Sequence, residues 1–170
     1  MRGTPGVSRG SRSVLNPDFR DMLSAFNAEG VEYLVVGAYA LAAHGLPRAT
    51  GGLDFWIRRT PENADRVLRA LSEFGAPVDR ISRDDLLTPE LILQIGVEPS
   101  RIDILTSIDG VEFEAAHARR LVARVDDVIV PLLGLEELIQ NKRAVGRPRD
   151  LADVAQLEAV EKGRERREPD

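Results

Sequence analysis

The segment "VEYLVVGAYALAAHGLPRATGGLDFWI", Val31 to Ile57, constrains this chain more than any other stretch. A short β-branched run ends at Gly37, the Ala-rich "AYALAAH" behind it favours helix up to Gly45, and a Pro/Gly-rich turn leads into the buried strand "LDFWI". That strand carries an anomaly. Asp54 lies among apolar neighbours, where a carboxylate is costly unless it is paired or holds a metal. Gly52 stands two residues before it, on the same face of the strand.

The rest of the chain alternates in the same way. Asn16 and Pro17 suit an N-cap and first turn, and Phe19, Met22, Leu23 and Phe26 recur at helical spacing until Gly30. Thr60 and Pro61 open a second amphipathic helix that Gly75 closes. "LILQIGV" and "RIDILTS" predict an antiparallel hairpin with Asp103 in its second strand. "EFEAAHARR" predicts a short helix, "LVARV" and "VIVPLL" two short strands, and "GLEELIQNKRAV" and "PRDLADVAQLEAVEK" two helices broken at "GRP". The fold class is therefore α/β (α+β): a small mixed sheet flanked by helices, with further helices at the C-terminus.

A chain of 170 residues with 43% hydrophobic content is expected to form one domain, over residues 16–163, between a basic tail at 1–15 and a frayed tail at 164–170. The absence of cysteine excludes disulfides and thiolate metal sites. A net charge of −5 argues against broad, sequence-independent nucleic-acid binding, which needs many phosphate-neutralising side chains. No apolar run approaches spanning length and no secretory leader is recognisable, so no membrane partner is expected and the expected location is cytoplasmic.

Gly37 sits where a strand feeds a helix, so backbone amides there can approach an anion closely. Asp103 repeats the anomaly of Asp54. If the two carboxylates meet beside Gly37 they form an oxygen-ligand site for Mg²⁺ (or Mn²⁺) on a triphosphate. The competing explanation is that each pairs with an arginine, with Arg48, Arg58 and Arg101 as candidates.

These residues resemble the signature of the DNA polymerase β-type nucleotidyltransferase superfamily, in the small bacterial branch of minimal nucleotidyltransferases and AbiEii-like proteins. Gly37 matches the first glycine of that signature, Asp54 its second acid and Asp103 its third, and "LIQNKRAVGRPRDLADVAQLE" is similar to the branch's C-terminal helices. The resemblance implies an NTP substrate, a weakly bound Mg²⁺ or Mn²⁺ on Asp54 and Asp103, and nucleotide contacts from Gly37, Ala38, Gly52 and Lys142. It implies transfer of a nucleotidyl group to an unknown hydroxyl acceptor on protein, RNA or a small molecule. The alternative is a non-catalytic member that binds nucleotide or a partner, such as a cognate toxin or antitoxin. Two departures stand out. Ala38 replaces a second glycine or serine, and Gly52 replaces the first acid, so a metal ligand is missing. Restoring it as Gly52→Asp is expected to meet little steric resistance.

Other residues have simpler readings. Arg147, Arg149, Asp150 and Asp153 are explained at least as well by ion pairing at a helix N-terminus. His44 and His117 lack metal-spaced partners, and a lone Trp56 in a strand is more often core than a base-stacking platform.

Overall fold

The computed structural model describes residues 15–168, so the predicted basic tail lies, apart from Leu15, outside the described residues. Helix α1 (Pro17–Ala28) starts where Asn16 caps the Asp18 amide. Strand β1 (Tyr33–Val36) follows, then α2 (Ala38–Ala43), β2 (Gly52–Ile57) and α3 (Pro61–Phe74). Thr60 caps α3 by accepting from the Asn63 amide, and Gly75 ends it in the left-handed region at φ 95°. Next come a single 3₁₀ turn (Val78–Arg80) and α4 (Arg83–Leu87). Neither was expected from apolar periodicity, which segments this short cannot display. The capping box in which Ser82 and Asp85 satisfy each other's backbone amides is the sequence signal that marks α4.

The remaining elements are β3 (Ile92–Ile95), β4 (Arg101–Leu105), α5 (Phe113–Ala118), β5 (Leu121–Val125), β6 (Val128–Leu132), α6 (Leu135–Val145) and α7 (Pro148–Glu165). The strands form one mixed sheet in the order β3-β4-β2-β1-β6-β5. β1 is antiparallel to β2 and parallel to β6, β2 is parallel to β4, and the β3/β4 and β5/β6 hairpins are antiparallel. The expected mixed sheet with flanking and C-terminal helices is therefore present, and α7 runs through Glu165, past the expected domain boundary at 163.

Strand alternation decides which face does what. Tyr33 and Phe55 pack with Phe26 of α1 at ring distances of 4.8–5.4 Å, on the face that also carries Leu53, Ile57, Ile102 and Ile104. The opposite face carries Gly52, Asp54 and Trp56 on β2 and, in register beside them, Arg101, Asp103 and Leu105 on β4. Trp56 is buried there against Phe113 of α5 at 5.0 Å, which makes it core.

One buried polar side chain fastens the frame. Asn63 is fully buried, accepts from the Glu32 amide at 2.8 Å, and donates to the Glu32 and Arg58 carbonyls at 3.0 and 2.8 Å. It thus joins α3 to the start of β1 and the end of β2. Asn63→Ala would strand three backbone groups without partners, and we expect a loss of about 2–4 kcal/mol, read as a lower urea midpoint at unchanged slope.

Candidate functional site

The end of β1 closes on Asp54. Gly37 adopts φ 71°, which suits glycine, and a Cβ built on it would lie 2.1 Å from Asp54 Oδ2. No other residue can stand at 37 while Asp54 keeps its place. Val36 is the register partner of Asp54 on β1, and Asp103 is its partner on β4. Because β2 and β4 are parallel neighbours, both carboxylates project from the same sheet face.

The pair is electrostatically strained. Burial first, then the neighbouring Asp103 carboxylate, raise the Asp54 pKa to about 6, with Arg101 opposing the rise. Asp103 is buried, its Oδ1 has no hydrogen-bond partner, and its Oδ2 lies 3.3 Å from Arg101 Nε. Of the three arginines considered from sequence, Arg101 is the one that meets this pair. Arg48 binds Asp153 and Arg58 binds Glu32, both at 2.7 Å.

A divalent cation is compatible with this donor set. Two adjacent carboxylates, one with a buried oxygen that nothing donates to, present concentrated negative charge, and Mg²⁺ commonly takes one or two carboxylates plus water and substrate phosphates. Among the described residues no group of three or more His, Cys, Asp or Glu side chains is arranged to hold a metal by itself. The residues therefore fit one cation that draws its other ligands from elsewhere.

Asp54, Gly37 and Ala38 line a cleft of about 800 Å³, walled by the β1 end, the loop before β2, the strands β3 and β4 and the helices α6 and α7. Gly52 and Asp103 do not line it. Its basic side chains are Arg48, Lys142, Arg147 and Arg149. Three of them are already engaged. Lys142 Nζ lies 3.3 Å from Asp150 and 3.0 Å from Asp153, Arg48 completes Asp153, and Arg147 Nε reaches Asp150 at 2.7 Å. The hydrogen bond from Arg147, with help from Lys142, holds the Asp150 carboxyl down at about 2. For Arg149 no ion pair is seen among the described residues. Lys142 thus lines the cleft as the centre of a mostly buried charge network joining α6, α7 and the loop before β2.

Gly52 also needs correction. A Cβ there would lie 2.7 Å from the backbone oxygen of Arg101, so Gly52→Asp cannot be accommodated without moving β4. The expected low steric cost arose because alternation gives a side chain's direction and not the closeness of the next strand. His44 is satisfied by the Leu133 carbonyl at 2.8 Å, and His117 stacks on Phe113, so neither serves the cleft.

Comparison with known proteins sharpens the fold. No family profile matches the chain, and no curated protein matches it. Among solved structures, a Thermotoga maritima protein whose crystal structure is described as that of a "putative nucleotidyltransferase" superposes with a TM-score of 0.50 at 18% identity, covering 88% of this chain and 91% of that one. The chain has a nucleotidyltransferase-like fold. At that identity the likeness concerns architecture: the small mixed sheet and its flanking helices are shared across most of both chains. Among the described residues no helix is long and apolar enough to cross a membrane.

Two outcomes follow. Because the Asp54 pKa is raised, this group's contribution to stability is present below the unfolded value of 3.8 and is lost as pH rises through about 6. Asp54→Asn should therefore raise the melting temperature by roughly 5 °C at pH 8 and by little at pH 4.5, as followed by circular dichroism. Lys142→Ala should lower stability by about 2 kcal/mol in denaturant titration, less than for a fully broken buried pair because each aspartate keeps an arginine.

Proposed function

We propose that this chain binds a nucleoside triphosphate with one Mg²⁺ in the Gly37–Asp54 cleft and transfers its nucleotidyl group slowly to a hydroxyl acceptor, whose oxygen bonds to the α-phosphorus as pyrophosphate leaves and the hydroxyl proton passes to solvent. The observation that carries this reading is the in-register pair of Asp54 and Asp103, held against the one position in β1's exit that only glycine can fill. The fold likeness supports the same class.

Asp54 would hold the cation, with Asp103 beside it. When bound, Mg²⁺ neutralises phosphate oxygens and so favours displacement at phosphorus. Gly37 and Ala38 let the phosphates approach the backbone, and the absent side chain at 37 keeps Asp54 accessible. Arg149 is the cleft cation left free to meet phosphate among the described residues, since Lys142, Arg48 and Arg147 are committed to Asp150 and Asp153. Catalysis by this fold requires positioning and charge neutralisation with no covalent step on the protein. Having only two carboxylates limits both, which is the reason transfer is proposed to be slow.

A second reading has its own support. The contact of Arg101 with Asp103, together with the closed Gly52 position, favours a member that keeps nucleotide or partner binding and has lost transfer. A toxin or antitoxin partner belongs to this reading and rests on the sequence resemblance alone.

Equilibrium binding of labelled NTPs with and without Mg²⁺, followed by incubation with cell extract, separates the two. The first reading expects Mg²⁺-dependent binding, weakened at least tenfold by Gly37→Ala, and slow label transfer. Binding with no transfer at any protein concentration supports the second reading, and no NTP binding at all refutes the first and leaves only the partner-binding form of the second.

A further inference from the structure

The two glycines before Asp54 face specific neighbours on β4 and in the loop that leads into it. In the parallel register of β2 and β4, Gly52 is the partner of Arg101. The Cβ that Gly52 lacks would stand 3.4 Å from Arg101 Cβ, and the one that Gly51 lacks would stand 2.4 Å from Glu98 Cδ. Gly51 thus lies against the Glu98 side chain, and Gly52 against the backbone and Cβ of Arg101. Glu98 Oε1 holds Arg101 Nη1 at 3.0 Å, and Arg101 Nε lies 3.3 Å from Asp103 Oδ2. The last contact is one of charge more than of directed hydrogen bonding, since Arg101 Nε and Asp103 Oδ1 are both buried without a hydrogen-bond partner.

We propose that Arg101 is an internal counter-cation for the Asp54–Asp103 pair, carried on β4 where Gly52 lets that strand approach β2 closely and steered by Glu98, which competes with divalent cations for Asp103. A guanidinium fixed two residues from Asp103 on the same strand is present at an effective concentration that a dissolved ion must overcome. It also lowers the negative charge that would attract that ion. Asp103 Oδ1, which already lacks a donor, and Oδ2, which Arg101 faces, are the oxygens an incoming cation would use once Arg101 is displaced or removed. This inference deepens the nucleotide-site reading by assigning regulation of its metal affinity to one residue, and its test contains no nucleotide.

The full chain would be titrated with Mn²⁺ alone, following the free-ion signal by electron paramagnetic resonance and the melting temperature by circular dichroism. The native protein is expected to bind Mn²⁺ weakly and to melt at the same temperature with and without it. Arg101→Met removes the charge and keeps an unbranched apolar stem. It should bind Mn²⁺ at least tenfold more tightly and melt higher in its presence, and adding Asp103→Asn should abolish both gains. An Arg101→Met protein that binds Mn²⁺ no more tightly than the native chain overturns the proposal. Should that variant fail to fold, the native chain decides: a Mn²⁺-induced rise in melting temperature that Asp103→Asn removes would show Asp103 free to ligate with Arg101 in place, and overturns it, whereas no such rise supports it. Failure to bind NTP in the separate binding experiment would sink the functional proposal and leave this one standing.

Discussion

The contact between the residue 37 backbone and the Asp54 carboxylate is the constraint on which the site depends. With a would-be Cβ 2.1 Å from Asp54 Oδ2, the chain leaves β1 through a positive-φ glycine or Asp54 must turn away. That single requirement aligns three things. It sets the start of α2 beside β2, it keeps a carboxylate partly desolvated at the cleft, and it brings the end of β1 against Asp54, whose register partner on β4 is Asp103. α2 is only six residues long, so its own dipole is small, and the cleft's electrostatics come mainly from side chains.

Those side chains divide into two clusters of opposite balance. On the sheet, two acids share one arginine, and the shortage of positive charge appears as a raised Asp54 pKa and an orphaned Asp103 oxygen. On the helices, Asp150 and Asp153 are enclosed by Lys142, Arg147 and Arg48, and Asp150 is held strongly ionised. The second cluster is satisfied and structural. The first is not satisfied, and unsatisfied buried charge is where a fold retains capacity for a ligand. The cleft lies between them, with Arg149 as an uncommitted cation among the described residues.

Much of the architecture was legible because local chemistry and pattern agree. Thr60-Pro61 and Gly75 bound α3, and the apolar runs around Asp54 and Asp103 become β2 and β4. The two carboxylates were noticeable as charges in apolar strands, and their adjacency follows from the parallel pairing. Other features depend on what lies across the sheet or between distant helices, which no local pattern carries. The direction of Arg101, the backing of Gly52 by a β4 carbonyl, the three-way anchorage of Asn63 and the capture of Lys142 by two aspartates all belong to that class. Lys142 shows the limit well. A lysine on a helix beside a cleft looks available to phosphate until the next helix supplies its partners.

Gly52 then acquires a different meaning from the one its strand position suggests. Seen along β2 alone it is a bare position two residues before Asp54. Seen across to β4 it is a close approach to backbone, where a side chain would collide with the Arg101 carbonyl. Glycine at 52 therefore governs how near β2 and β4 lie at the point where Arg101 and Asp103 begin to share a face. In that frame Arg101 Nε lies 3.3 Å from Asp103 Oδ2, so the acid pair carries part of its countercharge in its own chain.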